Sequence, residues 1–316
     1  MSLRKKKMGE RVNEYVKDLH GGKEGTPTMG GIFIYLVGIF TILLWGNFYV
    51  KYTPLLILGT SMAFFTGLFD DMVKLRRKKK GKGKGITAKF KFLLLALSAV
   101  IFILFLSKTG HFNTKLLIPI FKDVMPEVGF FYFILLFFVL VSTSNAVNLT
   151  DGLDGLASSL SVVAIATLSF IAYLSGNAIY AKYLNLPFIQ SAGEVAIFGI
   201  AVVGSCMGFL WYNFYPADIF MGDSGSLQLG FIIGMISVIV KQELLLLIIG
   251  GVFIFETLSV IFQVGFFKMF KRRLFKMAPV HHHYELSNIH EAKVVIRFVI
   301  IGILLSIIAL ATIKVR

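Results

Sequence analysis

The amino-acid sequence predicts an all-α fold, a polytopic membrane bundle of about nine transmembrane helices. Of the 316 residues, 56% are hydrophobic and only 16% are charged, and the mean hydropathy is +0.79. A soluble domain covers its surface with about 25% charged residues. This chain lacks the polar groups that a soluble enzyme needs, and its composition also excludes a coiled coil and a disordered chain. The single cysteine excludes a disulfide scaffold and a zinc site built from several cysteines.

Nine long apolar stretches account for the predicted helices, because a membrane helix needs about 20 apolar residues. Eight of them contain no Asp, Glu, Lys or Arg, and the ninth is interrupted only by Glu256. Apolar and polar residues do not alternate in them, which excludes a membrane β-barrel. No polar segment is long enough for a second domain, so residues 1–316 are expected to form a single integral membrane domain. The stretches are 29–50, 52–69, 92–107, 128–150, 155–181, 195–217, 224–240, 244–267 and 298–313.

The distribution of basic residues predicts the orientation in the membrane. With a cytoplasmic N-terminus, the inner segments hold 24 of the 32 Lys and Arg residues, as the enrichment of these residues in cytoplasmic loops requires. The opposite orientation would reverse this bias. The formal charge of +15 is therefore attributed to topology and not to nucleic-acid binding. The inner segments are the basic N-terminal segment 1–28, then 70–91, 148–154, 213–223 and 268–297.

Acidic residues concentrate on the same side, where 12 of the 17 are found. The loops 148–155 and 213–226 contain acidic but no basic residues, and the pair Asp70-Asp71 is expected to end the second helix. Carboxylate and amide oxygens without thiols suit Mg²⁺. Asp223 lies between glycines at the start of a predicted helix, a position that suits phosphate. By spacing alone, a turn followed by a helix N-cap explains this loop equally well.

Three further polar features each allow two interpretations. The histidines His281, His282 and His283 fall in the last inner loop, and either contact phosphate or sugar groups or lie at the surface near lipid headgroups. The basic run 76–84 either sets the topology alone or also recruits an anionic lipid. Glu256 in mid-membrane is either a functional acid or a structural acid bonded to a neighbouring Ser or Thr.

The motifs taken together resemble one known superfamily, the polyprenyl-phosphate N-acetylhexosamine-1-phosphate transferases. The stretches Glu-Gly-Thr-Pro-Thr-Met-Gly-Gly and Ala-Pro-Val-His-His-His-Tyr-Glu-Leu look most like its phospho-N-acetylmuramoyl-pentapeptide transferase branch. The motifs that carry the resemblance are 24–31, Asp70-Asp71 with Lys74, 145–157, 213–226 and 278–286.

The resemblance implies a reaction and a set of site residues. Phospho-MurNAc-pentapeptide would pass from UDP-MurNAc-pentapeptide to undecaprenyl phosphate in a Mg²⁺-dependent step, giving lipid I and UMP in the first membrane step of peptidoglycan synthesis. Asp223 would bind Mg²⁺, with Asn148 as a second candidate ligand, and Asp70 or Asp71 would be the general base for the lipid phosphate. Lys74 would neutralise phosphate charge together with Lys89, and His281, His282 and His283 would contact phosphate or sugar. The implied substrate-binding residues are Lys23, Thr28, Lys89, Asn148, Asp151, Asp154, Asn213 and Phe220, the last of them stacking on uracil.

The same resemblance implies a multi-pass protein of the bacterial plasma membrane, with its active site facing the cytoplasm, membrane lipid around it and a second copy as partner. One alternative is a sister enzyme that uses UDP-GlcNAc with the same chemistry. An alternative of another class is a secondary transporter whose pathway includes Glu256. Transporters place their ionisable groups near the midplane, whereas the acids here crowd one face of the membrane, which favours a surface active site.

Overall fold

The computed structural model describes residues 25–78, 85–110, 112–119 and 125–314, and most of these residues are helical. An isolated antiparallel β-bridge joins Lys115 to Glu127. In chain order the helices are α1 Gly31–Trp45, α2 Tyr52–Lys78, α3 Ala88–Leu106, α4 Phe130–Thr150, α5 Leu156–Gly176, α6 Ala178–Tyr183, α7 Ala192–Asn213, α8 Asp223–Ile239, α9 Leu246–Ile249, α10 Gly251–Phe270, α11 Val280–Glu285 and α12 Glu291–Lys314.

Seven of the described helices are long and apolar enough to cross a membrane, namely α2, α3, α4, α5, α7, α10 and α12. Helices α1 and α8 are also apolar but shorter, with 15 and 17 residues. Each of the nine apolar stretches in the sequence overlaps one of these nine described helices. The prediction of an all-α polytopic bundle is therefore confirmed for the part of the chain that the structure describes.

Several helices extend further into charged sequence than the apolar stretches indicated, and α2 and α12 do so most clearly. Helix α2 does not end at Asp70-Asp71 but continues to Lys78, and α12 begins at Glu291. A charged side chain does not end a helix, because the backbone N–H and C=O groups of an interior residue are hydrogen-bonded within the helix whatever its side chain. Long basic side chains can also reach water from a helix end. Asp70, Asp71 and Lys74 are consequently helical residues with fixed relative positions, and the prediction that the pair ends the helix is wrong.

Helix α8 is the centre of the bundle. All 17 of its residues are buried, and it packs against α2 and α4 and also against α5. Its first turn can approach the neighbouring helices because they present glycine there. A Cβ atom at Gly67 of α2 would overlap the backbone of Asp223, and one at Gly31 of α1 would overlap Gly225. This close packing brings the start of α8 against the second half of α2, where the acidic pair lies.

Candidate active site

Three aspartates from two helices meet at the start of α8. Asp70 and Asp71 lie on α2, Asp223 is the first residue of α8, and all three are buried. Each offers one carboxylate oxygen within 4.8 Å of the others. Of the three acidic segments that the sequence placed on one side of the membrane, α2 and the start of α8 supply this cluster, and Asp151 and Asp154 of the loop 148–155 are not among its members.

Two lysines balance most of this negative charge. Lys74 Nζ lies 3.0 Å from Asp70 Oδ2, 4.0 Å from Asp71 Oδ1 and 2.8 Å from Asp223 Oδ1. Lys91 Nζ lies 3.3 Å from Asp70 Oδ2 and also forms a close ion pair with Asp223 Oδ2. Both side chains keep partial access to solvent, with 31% and 18% exposed. Ammonium groups that contact carboxylates at an accessible edge can also contact the oxygens of a phosphate ligand.

Asp71 has a structural task within the cluster. Its Oδ1 accepts a hydrogen bond from the backbone N–H of Asp223 at 3.1 Å, and its Oδ2 accepts one from Ser224 at 2.9 Å. These are N–H groups at the start of α8, which have no acceptor inside the helix. The residue before them, Gly222, has φ +74°, and a Cβ there would lie 2.7 Å from Asp71 Oδ2. Asp71 therefore caps α8 and fixes the position of Asp223.

Asp70 is bonded differently. Its Oδ1 accepts a hydrogen bond from the backbone N–H of Ile86 at 2.6 Å, while its Oδ2 is buried, without a hydrogen bond in the described structure, and faces the two lysines. One carboxylate oxygen of Asp70 is thus hydrogen-bonded to the backbone, and the other points into the cluster. Of the two neighbouring aspartates, Asp70 has the oxygen that is better placed for chemistry.

The donor set around Asp223 fits a divalent cation. It consists of oxygen atoms without sulfur, and the buried Asp70 Oδ2 is held by ion pairs with Lys74 and Lys91 and not by a backbone N–H group of the described residues. Hard oxygen donors of this kind match Mg²⁺. Asn148 lies beside them, with its Nδ2 donating to Asp223 Oδ1 at 3.2 Å and to Ser226 Oγ at 2.8 Å. In this arrangement the amide nitrogen of Asn148 faces Asp223, and its carbonyl oxygen does not.

The loop that precedes Asp223 is braced by residues that the resemblance assigns to the nucleotide pocket. Asn213 Nδ2 donates to the carbonyl of Ile219 at 2.9 Å, and Asn213 Oδ1 accepts from Ser158 at 3.0 Å. Asp154 Oδ2 accepts from the backbone N–H of Ala217 at 3.0 Å. These contacts set the course of the loop, and a direct role of Asn213 and Asp154 in substrate binding stays a prediction.

The first motif is tied to the same loop. The backbone N–H of Phe220 donates to Pro27 O at 2.8 Å, and the N–H of Gly30 donates to Phe220 O at 2.8 Å. Thr28 is buried between these contacts, and a Cβ at Gly222 would lie 3.1 Å from its hydroxyl. Phe220 is partly exposed three residues before Asp223, and its stacking on uracil stays a prediction.

The three histidines lie on a short helix, α11, and not in the loop that the sequence had suggested. Neighbouring helical residues point about 100° apart, and the three imidazoles have different hydrogen-bond partners, although the rings of His281 and His282 stay in contact with their centroids 4.2 Å apart. His281 is fully buried with its Nδ1 3.1 Å from Glu256 Oε2, and the Nδ1 of His282 lies 2.7 Å from Glu285 Oε2. His283 Nδ1 accepts from the backbone N–H of Lys276 at 3.1 Å.

Glu256 is thus a hydrogen-bonded buried acid, although its partner differs from the neighbouring Ser or Thr that the sequence indicated. Ser259 donates to the backbone carbonyl of Glu256 at 2.7 Å, and not to its carboxylate. The carboxylate instead reaches His281, which is 25 residues further along the chain. The Ser or Thr interpretation is wrong, because the segment after α10 folds back and brings an imidazole to the acid.

Lys91 is the site residue that sequence reasoning missed. Lys89 is exposed, and the cluster contacts that we expected from it are made by Lys91. Lys91 lies at helical spacing from the buried Leu95, Ser98 and Phe102, whereas Lys89 shares its face with exposed residues. Thr87 caps α3 by accepting from Phe90 N at 3.3 Å, so the helix begins just before both lysines. Helical phase was therefore the signal that distinguishes them.

The predicted roles of two other residues, Lys23 and Asp151, are not tested by the structure. Lys23 lies outside the described residues. Asp151 ends α4 and is partly buried in the turn before α5, next to Gly152. Their roles as substrate-binding residues stay predictions.

Comparison with known proteins gives two matches. Residues 53–241, more than half of the chain, match the family model described as glycosyl transferase family 4. Residues 23–34 match the signature described as phospho-N-acetylmuramoyl-pentapeptide-transferase signature 1. The first match includes Asp70, Lys74, Lys91 and Asp223, and the second includes the segment that is hydrogen-bonded to the loop before α8.

Proposed function

The chain belongs to glycosyl transferase family 4, the polyprenyl-phosphate hexosamine-1-phosphate transferases, and from this premise we propose that it makes lipid I. In this proposal phospho-MurNAc-pentapeptide passes from UDP-MurNAc-pentapeptide to undecaprenyl phosphate, and UMP is released. The observation that carries the proposal is the buried cluster of three aspartates that two lysines contact, in a chain that also bears the signature of this transferase branch. Phosphoryl transfer depends mainly on positioning and charge neutralisation, which such a cluster provides.

The preference for MurNAc-pentapeptide is supported by residues 23–34, since this segment carries the branch signature. Its backbone is bonded to Phe220, so the segment borders the loop that leads to Asp223. The sister reaction with UDP-GlcNAc is the alternative, because the phosphate chemistry is the same. The transporter alternative loses its main support, since Glu256 is fully buried and bonded to His281.

The proposed reaction forms one phosphorus–oxygen bond and breaks another. An oxygen of the lipid phosphate attacks the phosphorus that is bonded to the sugar, and the bond to the UMP oxygen breaks. Asp70 Oδ2 accepts the proton of the lipid phosphate if that phosphate is still protonated. Lys74 and Lys91 reduce the repulsion between the two anionic reactants, and Asp71 holds Asp223 in place by capping α8.

Magnesium is part of the proposal. Asp223 would hold the ion and Asp70 would offer a second carboxylate from the cluster, while Asn148 would serve only with its carbonyl oxygen, and not its Nδ2, turned towards Asp223. When bound, Mg²⁺ supplies Lewis-acid neutralisation of the diphosphate oxygens. The chain's own residues then orient the reactants. Lys74 and Lys91 contact phosphate oxygens at the accessible edge of the cluster, and the start of α8, which Asp71 caps, holds Asp223 in position.

Localisation and assembly are inferred from the same premise. The chain is a multi-pass membrane protein. We place it in the bacterial plasma membrane with the aspartate cluster facing the cytoplasm, because Arg76, Arg77 and Lys78 end the helix that carries Asp70 and Asp71, and UDP-sugars are cytoplasmic. We also propose a single transferase domain that acts as a homodimer in the lipid bilayer.

The experiment for this function is UMP release by the purified protein in detergent. UDP-MurNAc-pentapeptide and UDP-GlcNAc are each supplied with Mg²⁺, with and without undecaprenyl phosphate. Release that needs the lipid phosphate and strongly favours the MurNAc donor supports the proposal. Preference for UDP-GlcNAc would assign the chain to the sister reaction, and release independent of the lipid would contradict transfer.

A further inference from the structure

Glu256 is an acid that the proposed reaction does not use, although burying it is costly. Its side chain is completely inaccessible in α10, and one carboxylate oxygen, Oε1, has no hydrogen bond in the described structure. The other, Oε2, lies 3.1 Å from His281 Nδ1. A buried ion or hydrogen-bonded pair is weak evidence for stability, because removal from water costs about as much as the pair returns. A role through its partner is the better explanation for this residue.

The imidazole of His281 lies between Glu256 and the turn that joins α4 to α5. A Cβ atom at Gly152 would overlap His281 Nε2, so the ring lies against the backbone of that turn. Gly152 has no positive φ, so the contact with the ring, and not the backbone conformation, requires glycine there. The same turn follows Asn148, which bonds to Asp223. The ring therefore touches the segment that leads directly from the aspartate cluster.

A carboxylate on one ring nitrogen fixes what the other nitrogen can do. With Nδ1–H donated to Glu256, the plane of the ring and the direction of Nε2 are set. His281 Nε2 is buried, has no hydrogen bond in the described structure, and faces the turn at Gly152. Carboxylates that orient histidines in this way at metal sites contribute about 10- to 100-fold to function.

We propose that Glu256 is a positioning residue for the transferase, acting only through His281, whose Nε2 it holds against the turn at Asp151 and Gly152. This inference rests on the proposed function, because the turn matters for catalysis only if Asn148 and Asp223 form the reaction site. Glu256 itself touches no substrate. Loss of Glu256 lowers activity because the His281 ring can then rotate away from the turn.

The test is a double-mutant cycle on kcat and on KM for the UDP-sugar donor. The variants are Glu256→Gln, His281→Gln and both together, with Ser259→Ala as the matched control. Ser259 is buried on the same helix and bonds only to its own helix, so its loss should change activity by less than about twofold. Gln is similar in size to Glu and keeps one acceptor oxygen, so Glu256→Gln is expected to fold.

The expected result is strong coupling between the two residues. Glu256→Gln should lower kcat/KM by about tenfold, and the loss should fall on the same constant, kcat or KM, that His281→Gln changes. In the His281→Gln background the second substitution should have almost no effect, since Glu256 acts only through the ring. Independent effects that multiply, or losses in different constants, would overturn the proposal, and so would near-normal activity of Glu256→Gln.

Gly152→Ala reaches the same ring from the opposite side and keeps the proposal testable if Glu256→Gln does not fold. The added methyl group should displace the imidazole and reproduce the loss seen with His281→Gln, with no further loss when the two are combined. Full activity of Gly152→Ala would contradict the proposed contact. All arms use the donor that the wild-type protein accepts, so an inactive wild type would count against the proposed function and not against this pairing.

Discussion

Asp71 on α2 accepts hydrogen bonds from the backbone N–H groups of Asp223 and Ser224, at 3.1 Å and 2.9 Å, so one acidic residue of the cluster positions another. This relationship separates the two neighbouring aspartates by task. Both carboxylate oxygens of Asp71 accept hydrogen bonds from the start of α8, whereas one carboxylate oxygen of Asp70 points towards Lys74 and Lys91. The two residues should therefore respond differently to the same substitution.

Asp71→Asn is expected to weaken the fold as well as the activity. Asn has only one acceptor oxygen, so one of the two N–H groups at the start of α8 loses its partner. Loss of a helix N-cap costs about 0.5–2 kcal/mol. Thermal unfolding in detergent should show a lower midpoint than the wild type, and a midpoint equal to that of wild type would contradict the capping role.

Asp70→Asn is expected to retain the wild-type unfolding midpoint more closely and to lose turnover. Loss of a general base costs about 10²–10⁴-fold in kcat, while KM for the UDP-sugar should change little because the nucleotide uses other loops. The defect should shrink as the pH rises, since the lipid phosphate loses its second proton with a pKa of roughly 6. A defect that is constant from acidic to alkaline pH would show that Asp70 does not take this proton.

Lys91 and a divalent cation should compete for Asp223. Lys91 forms an ion pair with the Asp223 carboxylate, and a cation bound to that carboxylate would be repelled by the ammonium group. Lys91→Met should therefore bind Mn²⁺ several-fold more tightly by calorimetry, although its turnover falls. Lys89→Met is the matched control, because this exposed lysine on the same helix should affect neither quantity. Asp223→Asn should lose Mn²⁺ binding, and weaker binding by Lys91→Met would contradict the competition.

The orientation can be tested with two single cysteines in a Cys206→Ser background, since Cys206 is the only native cysteine and is buried. Gly81→Cys should react with an impermeant maleimide only from the cytoplasmic side. Lys115→Cys should react only from outside, because segments rich in Lys and Arg stay inside. Labelling of both cysteines from one side would overturn the assignment of the aspartate cluster to the cytoplasm.

The helices were predictable because they depend on a local property of the sequence, whereas the cluster was predictable only in part, since Asp151 and Asp154 do not join Asp70, Asp71 and Asp223. Apolar stretches of sufficient length must be helical in a membrane, and the acids concentrate in loops on one side of it. The choice between Lys89 and Lys91 was also within reach, since only Lys91 shares the phase of Leu95 and Phe102.

The pairing of Glu256 with His281 could not be predicted from the sequence, because it depends on how the segment after α10 folds back onto that helix. Gln263 accepts hydrogen bonds from the N–H groups of Leu274 and Phe275, at 3.0 Å and 2.9 Å, and so ties this segment back onto the helix. The residues on either side of this tie carry no periodic pattern that indicates where the segment goes. The division of tasks between Asp70 and Asp71 has the same origin, since adjacent acids look equivalent until their backbone partners are known.

The most direct measurement of the central claim is the identity of the lipid product. The purified protein is given undecaprenyl phosphate, Mg²⁺ and equal amounts of UDP-MurNAc-pentapeptide and UDP-GlcNAc, and the lipid fraction is analysed by mass spectrometry. The expected product is undecaprenyl diphosphate linked to MurNAc-pentapeptide, formed in equal amount with UMP, and Asp223→Asn should form none of it. A lipid that carries only GlcNAc, or nucleotide release without any lipid-linked sugar, would contradict this claim.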